Sequence, residues 1–205
     1  MEENDLTDCL DLINSVFYIQ EKFAASNSEL DPILNEIVSD IISAISSALL
    51  GHYRLATSGL RNVLELSCSA LFYLDHKIEY KLYKDFDFKA DKYVSTLINE
   101  YHFFKSTYIK TFYPNIVNIE KELDSCSSYL SRTYGKLCDV VHGRYLSLTK
   151  TNNLTFEYNQ SHFSKFKTIL EHTLGAFFLL YILRFNDFKN ASILNTVKKT
   201  NVIKL

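Results

Sequence analysis

Five glycines and two prolines in 205 residues leave this chain almost without the residues that end or turn secondary structure. A β-sandwich or barrel needs a turn signal roughly every 8–12 residues, and glycine and proline are the strongest of these. That few breakers cannot punctuate such a fold, whereas long helices need none. With 47% of its residues hydrophobic, the chain also has enough apolar surface to bury a substantial core.

Apolar spacing divides the chain into helices. Leu6, Leu10, Ile13, Phe17 and Ile19 predict a first helix over about residues 5–25. The run SNSELDP then reads as a loop, with Asp31 as N-cap and Pro32 at the first helical position. A second helix runs to near Gly51, and a third, apolar on most sides, spans about Tyr53 to Asp75. The aromatic and lysine-rich stretch from Tyr80 to Pro114 predicts two shorter helices, one ending before the proline. Helical periodicity resumes from Asn115 to about Tyr145, with a break near Ser125 to Ser128. SLTKTNNLTFEYNQ reads as a loop with an extended strand or hairpin at LTFEY, and a last long helix covers Ser161 to about Phe185. The expectation is an all-α protein. It forms a single up-and-down helical bundle of about five to seven helices over residues 1–190, with a basic, flexible C-terminal tail over 191–205.

Charge and cysteine usage narrow the function classes. A net charge of −2, from 22 basic and 24 acidic residues, provides no electrostatic footprint for duplex binding. The one asymmetry is at the end, where Lys189, Lys198, Lys199 and Lys204 follow Asp187 with no further acid. Cys9, Cys68, Cys126 and Cys138 form no close pair and no metal-binding spacing, so reduced thiols in the cytoplasm are expected. The acidic start, MEENDLTDCL, lacks the basic-then-apolar order of a signal peptide. The most apolar run, Leu174 to Leu183, is too short to span a bilayer and reads as buried helix, so no membrane partner is expected. Glycine-rich phosphate loops, nucleophile elbows and zinc-protease motifs are absent. The six histidines (His52, His76, His102, His142, His162 and His172) do not pair with acids at metal-ligand spacing, so neither a metal nor a cofactor is expected.

Two segments stand apart. In the third helix, Arg54, Ser58, Arg61, Glu65 and Cys68 share one stripe on an otherwise apolar cylinder. Such a stripe has to be solvated or paired, and Arg61 and Glu65, four residues apart, can pair directly as a structural ion pair. The alternative use of the stripe is to line a groove. The second segment is YLSRTYGKLCDVVHGRYL, residues 129–146, where Tyr134, Cys138 and His142 share a helical face. Gly143 suits a helix end, and Arg144 adds a cation beside the imidazole. A histidine at that end is a structural cap in one reading. In the other, imidazole plus cations is a minimal kit for RNA cleavage, moving the proton of a 2′-hydroxyl or leaving oxygen while phosphate charge is neutralised.

At these residues the chain resembles the HEPN superfamily of small all-helical domains, and more loosely the helical abortive-infection proteins related to it. Leu60-Arg61-x-x-x-Glu65 in a central helix and Tyr134-x-x-Leu137-Cys138-x-x-Val141-His142-Gly143 on a later one carry the resemblance, over about residues 30–185. It implies a HEPN-like bundle that forms a homodimer, with the later-helix motif of each subunit facing a shared cleft. Many members are metal-independent endoribonucleases of toxin–antitoxin, abortive-infection or phage-defence systems, with a cognate antitoxin or other defence-system protein as partner. Others are inactive RNA-binding or interaction domains. The family's catalytic signature is Arg, then a polar residue, then His four to six residues beyond the Arg. Here Lys136 stands five intervening residues before His142, and Leu137 follows it. The resemblance therefore implies His142 as acid/base with Lys136 as a stand-in for the arginine. Arg144, Arg61 and Arg54 are the candidate phosphate contacts, and Tyr134 orients the imidazole or stacks on a base. Lysine is a point charge rather than a planar fork, so the exchange changes phosphate recognition. Two further readings stay open: a non-catalytic dimerisation or protein-interaction module in which Arg61, Glu65 and His142 are structural, and a small-nucleotide sensor.

Overall fold

A computed structural model describes residues 3–26, 28–86, 93–115, 126–144 and 156–204. Nine α-helices lie within these residues. They are α1 (Glu3–Ser26), α2 (Asp31–Leu49), α3 (Tyr53–Asp75), α4 (Lys77–Phe86), α5 (Val94–Glu100), α6 (Ser106–Phe112), α7 (Cys126–Val141), α8 (Gln160–Phe185) and α9 (Ala191–Lys198). No β-strand occurs among the described residues, in keeping with the scarcity of breakers. Helix α3 has the boundaries its periodicity predicts.

The core is organised around α3 and α8. Helix α3 packs on α2, α7, α8, α5 and α4, and α8 is flanked by α3, α1, α9, α7 and α2. Every residue of α8 from Thr173 to Leu183 is buried, which removes any solvated stripe. Phe104, Phe163 and Phe178 are fully buried, each stabilising the fold by about 1.5–3 kcal/mol through removal of apolar surface from water. Helices α2 and α8 are long and apolar enough to cross a membrane by length and composition. The run Leu174–Leu183 lies inside this longer helix, which begins at Gln160 and ends at Phe185. In the fold, 72% of the apolar window of α8 and 44% of that of α2 are buried.

Several expectations are corrected. Asp31 is not the N-cap of α2: Leu30 takes that place, Asp31 opens the first turn, and its Oδ1 is buried without a hydrogen-bond partner. The middle region holds three short α-helices, α4 to α6, plus a 3-10 turn at His102–Phe104. Extended backbone at Tyr101 and Lys105 brackets that turn, which places Phe103 and Phe104 in the core. The described part of LTFEY, residues 156–158, has no strand pairing.

Residues 191–204 are not a free tail. Asn190 caps α9 by accepting from the Ile193 amide at 3.1 Å, and Ile193, Val197, Val202 and Ile203 are buried. The lysines stay outward while the apolar positions dock, and Lys199 pairs with Glu171 of α8 at 3.2 Å. Gly175 of α8 faces this segment, where a Cβ would lie 3.0 Å from Thr200 Cγ2 and 3.6 Å from Thr196 O. The helix count exceeds the expected five to seven because the middle region fragments and this segment folds.

Candidate functional site

The two segments singled out in the sequence meet across the α3–α7 interface. Arg61 Nη2 lies 2.6 Å from Glu65 Oε1 and donates to the Tyr134 hydroxyl at 2.8 Å. Tyr134 donates onward to Glu65 Oε1 at 2.8 Å, and the guanidinium carbon stands 5.3 Å from the Tyr134 ring centroid. The two charged side chains are each 25% exposed, so the cluster lies at the edge of the core. Burial pulls the Arg61 pKa down, but the neighbouring Cys138 thiol, Glu65 and Tyr134 outweigh it, and the guanidinium is held above its ordinary value. Its Nε is buried without a hydrogen-bond partner. Burial, and then the Glu65 carboxylate accepting its proton, push the Tyr134 phenol well up. Cys68, expected on the polar stripe, is instead fully buried, and burial raises its thiol pKa. Fourteen residues after Arg54, the stripe has rotated into the core.

One end of the same interface holds a different set. Helix α7 terminates in a Schellman arrangement: Arg144 N–H donates to Asp139 O at 3.1 Å and Gly143 N–H to Val140 O at 3.3 Å. Gly143 adopts φ +63°, the left-handed conformation that this ending requires. His142 is exposed on the closing turn, and Arg144 Nε pairs with Asp139 Oδ1 at 2.9 Å. From α3, Arg54 Nη2 donates to Val141 O at 2.8 Å, satisfying one of the carbonyls left open at a helix end. Arg54 therefore reaches the backbone of the turn that carries His142 and Arg144, while Arg61 and Tyr134 are committed to Glu65, Tyr134 being roughly 12 Å from His142 along α7 at 1.5 Å per residue. Tyr134 does not orient His142, because its hydroxyl is engaged with Arg61 and Glu65.

Lys136 belongs to another face. Its charge, with that of Lys199, bears on His172 of α8. Burial first, then these two cations, lower the His172 pKa against the opposing pull of Glu171. The Tyr129 hydroxyl lies 3.0 Å from His172 Nδ1, and burial pushes its own pKa up to about 12. A histidine whose folded pKa is lowered binds a proton more readily when unfolded. Its stabilisation is thus fully present above the ordinary imidazole value of about 6.5 and is lost as pH falls toward the lowered folded value. Urea unfolding at pH 7.5 and 5.5 should show wild type losing stability on acidification and His172→Gln losing less. Equal losses in the two proteins would remove His172 from this account.

Beside the Arg54–Val141 contact lies an open groove of about 490 Å³, lined among others by His52, Arg54, Ser58, Val141, Glu157 and His162. The beginnings of α3 and α8 form it. Asn159 caps α8 by accepting from the His162 amide at 3.0 Å, while the Tyr53 hydroxyl donates to Asn159 O at 3.0 Å and accepts from Asn159 N–H at 2.9 Å. The Tyr53 and His162 rings meet edge to face at 5.4 Å, and His52 lies against Phe156 at 4.5 Å. Gly51, at φ +84°, makes the wall possible: a Cβ there would stand 2.5 Å from Glu157 O. His52, His162 and Phe156 were not legible as a site, since 110 residues separate the two histidines and only folding unites them. Among the described residues, no group of three His, Cys, Asp or Glu side chains is placed to hold a metal ion. No protein-family model matches this chain, and neither a curated protein nor a solved structure matches it.

Proposed function

We propose that this chain is a HEPN-like helical protein of a prokaryotic defence or toxin–antitoxin type system, acting on RNA in the cytoplasm as a homodimer through the cleft around His142. The observation that supports this reading is the Arg54–Val141 contact, which brings an exposed guanidinium of α3 to the turn bearing His142 and Arg144. An exposed imidazole can exchange a proton with the 2′-hydroxyl or the leaving oxygen, and the two guanidinium groups can neutralise phosphate without a metal. Lys136, whose charge lowers the His172 pKa, takes no part in this reading.

A second reading, the non-catalytic interaction module, is favoured by one specific feature: Arg61 Nη2, the Tyr134 hydroxyl and Glu65 Oε1 are bonded to one another across the α3–α7 interface. Incubation with a mixed RNA pool in EDTA separates the two. Cleavage is expected from wild type and is expected to fall about 100-fold or more in His142→Ala, with no change in melting temperature because the side chain is exposed. Binding without cleavage would leave an RNA-binding module, and neither binding nor cleavage by folded wild type would sink the RNA reading. Light scattering tests the dimer, and a monomer at high concentration counts against a shared cleft.

A further inference from the structure

We infer that the groove between the starts of α3 and α8 binds one nucleotide unit, with its phosphate on His52, Arg54 and His162 and its base against Phe156. Three nitrogen-donor side chains from two distant parts of the chain line this groove. His52 and His162 are half-buried and Arg54 is exposed. The guanidinium spends one Nη2 contact on Val141 O and retains other N–H donors, in the planar fork that suits phosphate oxygens. Ser58, one turn further along α3, adds a hydroxyl to the lining. Glu157 also lines the groove, and its carboxylate can accept from the hydroxyls of a ribose.

The aromatic component points to a nucleotide rather than a bare anion. Phe156 is 71% exposed, with its ring centroid 4.5 Å from that of His52 and the planes tilted by 41°, so most of its ring surface is accessible for stacking. Leu55, at 63% exposure, lengthens the apolar rim. A volume of about 490 Å³ falls within the usual range of small-ligand sites, roughly 300–1,000 Å³, and leaves room for one nucleotide. The ligand is either a free mononucleotide or one nucleotide of an RNA strand. The second source rests on the function proposed above, and the first stands without it.

The test titrates adenosine 5′-monophosphate and adenosine by calorimetry, and a labelled single-stranded oligoribonucleotide by anisotropy. Wild type, His162→Gln and Phe156→Ser are compared, each checked by melting temperature. Wild type should bind the monophosphate at least about tenfold tighter than adenosine, as expected for loss of a charge-assisted phosphate contact. Each variant should weaken the monophosphate about five- to tenfold. Binding of the monophosphate with RNA ignored supports the groove and overturns the RNA reading. RNA binding that neither variant weakens, with no affinity for the monophosphate, overturns the groove and leaves the RNA reading standing. Equal affinity for monophosphate and adenosine also overturns it, because the basic lining would then do nothing.

Discussion

Gly51→Ala is expected to destabilise the protein by about 3 kcal/mol and to spoil the groove, although it adds a single methyl group. Two costs combine. The backbone at Gly51 has φ +84°, a conformation that costs an L-residue about 1–2 kcal/mol. The new Cβ would also stand 2.5, 2.6 and 2.7 Å from O, C and N of Glu157. Those atoms are backbone, so no rotamer change relieves the overlap, and the segment before α8 has to move. That displacement pulls on the Tyr53–Asn159 hydrogen bonds, which fix where α8 begins relative to α3. Gly135 is the internal comparison, because nothing lies within 4 Å of its added Cβ and it sits in the exposed middle of α7. Gly135→Ala should stabilise by roughly 0.5–1 kcal/mol through helix propensity and the lower entropy of the unfolded chain. Denaturant unfolding measures both, and a Gly51→Ala protein as stable as wild type would show that the wall at Glu157 gives way freely.

The Arg61–Glu65–Tyr134 cluster sets the second large effect. The sequence alone suggests a buried pair whose single removal costs about 3–5 kcal/mol. With a quarter of each side chain exposed, water screens the pair, and the expected loss for Arg61→Ala falls to about 2 kcal/mol, between the surface and buried limits. Tyr134→Phe keeps the ring over the guanidinium but removes the hydroxyl bridge, and should cost about 1 kcal/mol. The double variants Arg61→Ala/Glu65→Ala and Arg61→Ala/Tyr134→Phe should each lose less than the sum of their single changes, because the three groups share one network. Additive losses would mean that the contacts seen between α3 and α7 contribute nothing jointly.

How much of this was readable from the sequence depends on whether the relevant information is local. The boundaries of α3 follow from a continuous apolar period with Gly51 before it, and the Arg61–Glu65 pair follows from i,i+4 geometry. The Schellman ending at Gly143 follows from a glycine after a periodic run. Tyr134 as the bridge between Arg61 and Glu65 was within reach, since both segments were singled out, but their register is set by packing that no spacing encodes. The lysines of the C-terminal segment suggest a solvated tail, but Ile193, Val197, Val202 and Ile203 between them are buried, and the partner surface that buries them lies on distant helices. Lys136 precedes His142 by six residues, which is not a whole number of helical turns, so spacing along the chain does not put the two on one face of α7. The groove histidines were invisible for the plainest reason, that loop closure over about a hundred residues brings them together.

Helix α8, buried without interruption from Thr173 to Leu183, has no face it can show to water. An amphipathic surface helix can fray or detach while its neighbours stay folded, but α8 cannot leave without exposing apolar surface on all sides and uncovering α1, α3 and α9 as well. Those four helices are therefore expected to open together rather than one at a time. Backbone amides in the middle of α8 are expected to exchange with solvent only as slowly as the whole unit opens, which native-state hydrogen exchange would show.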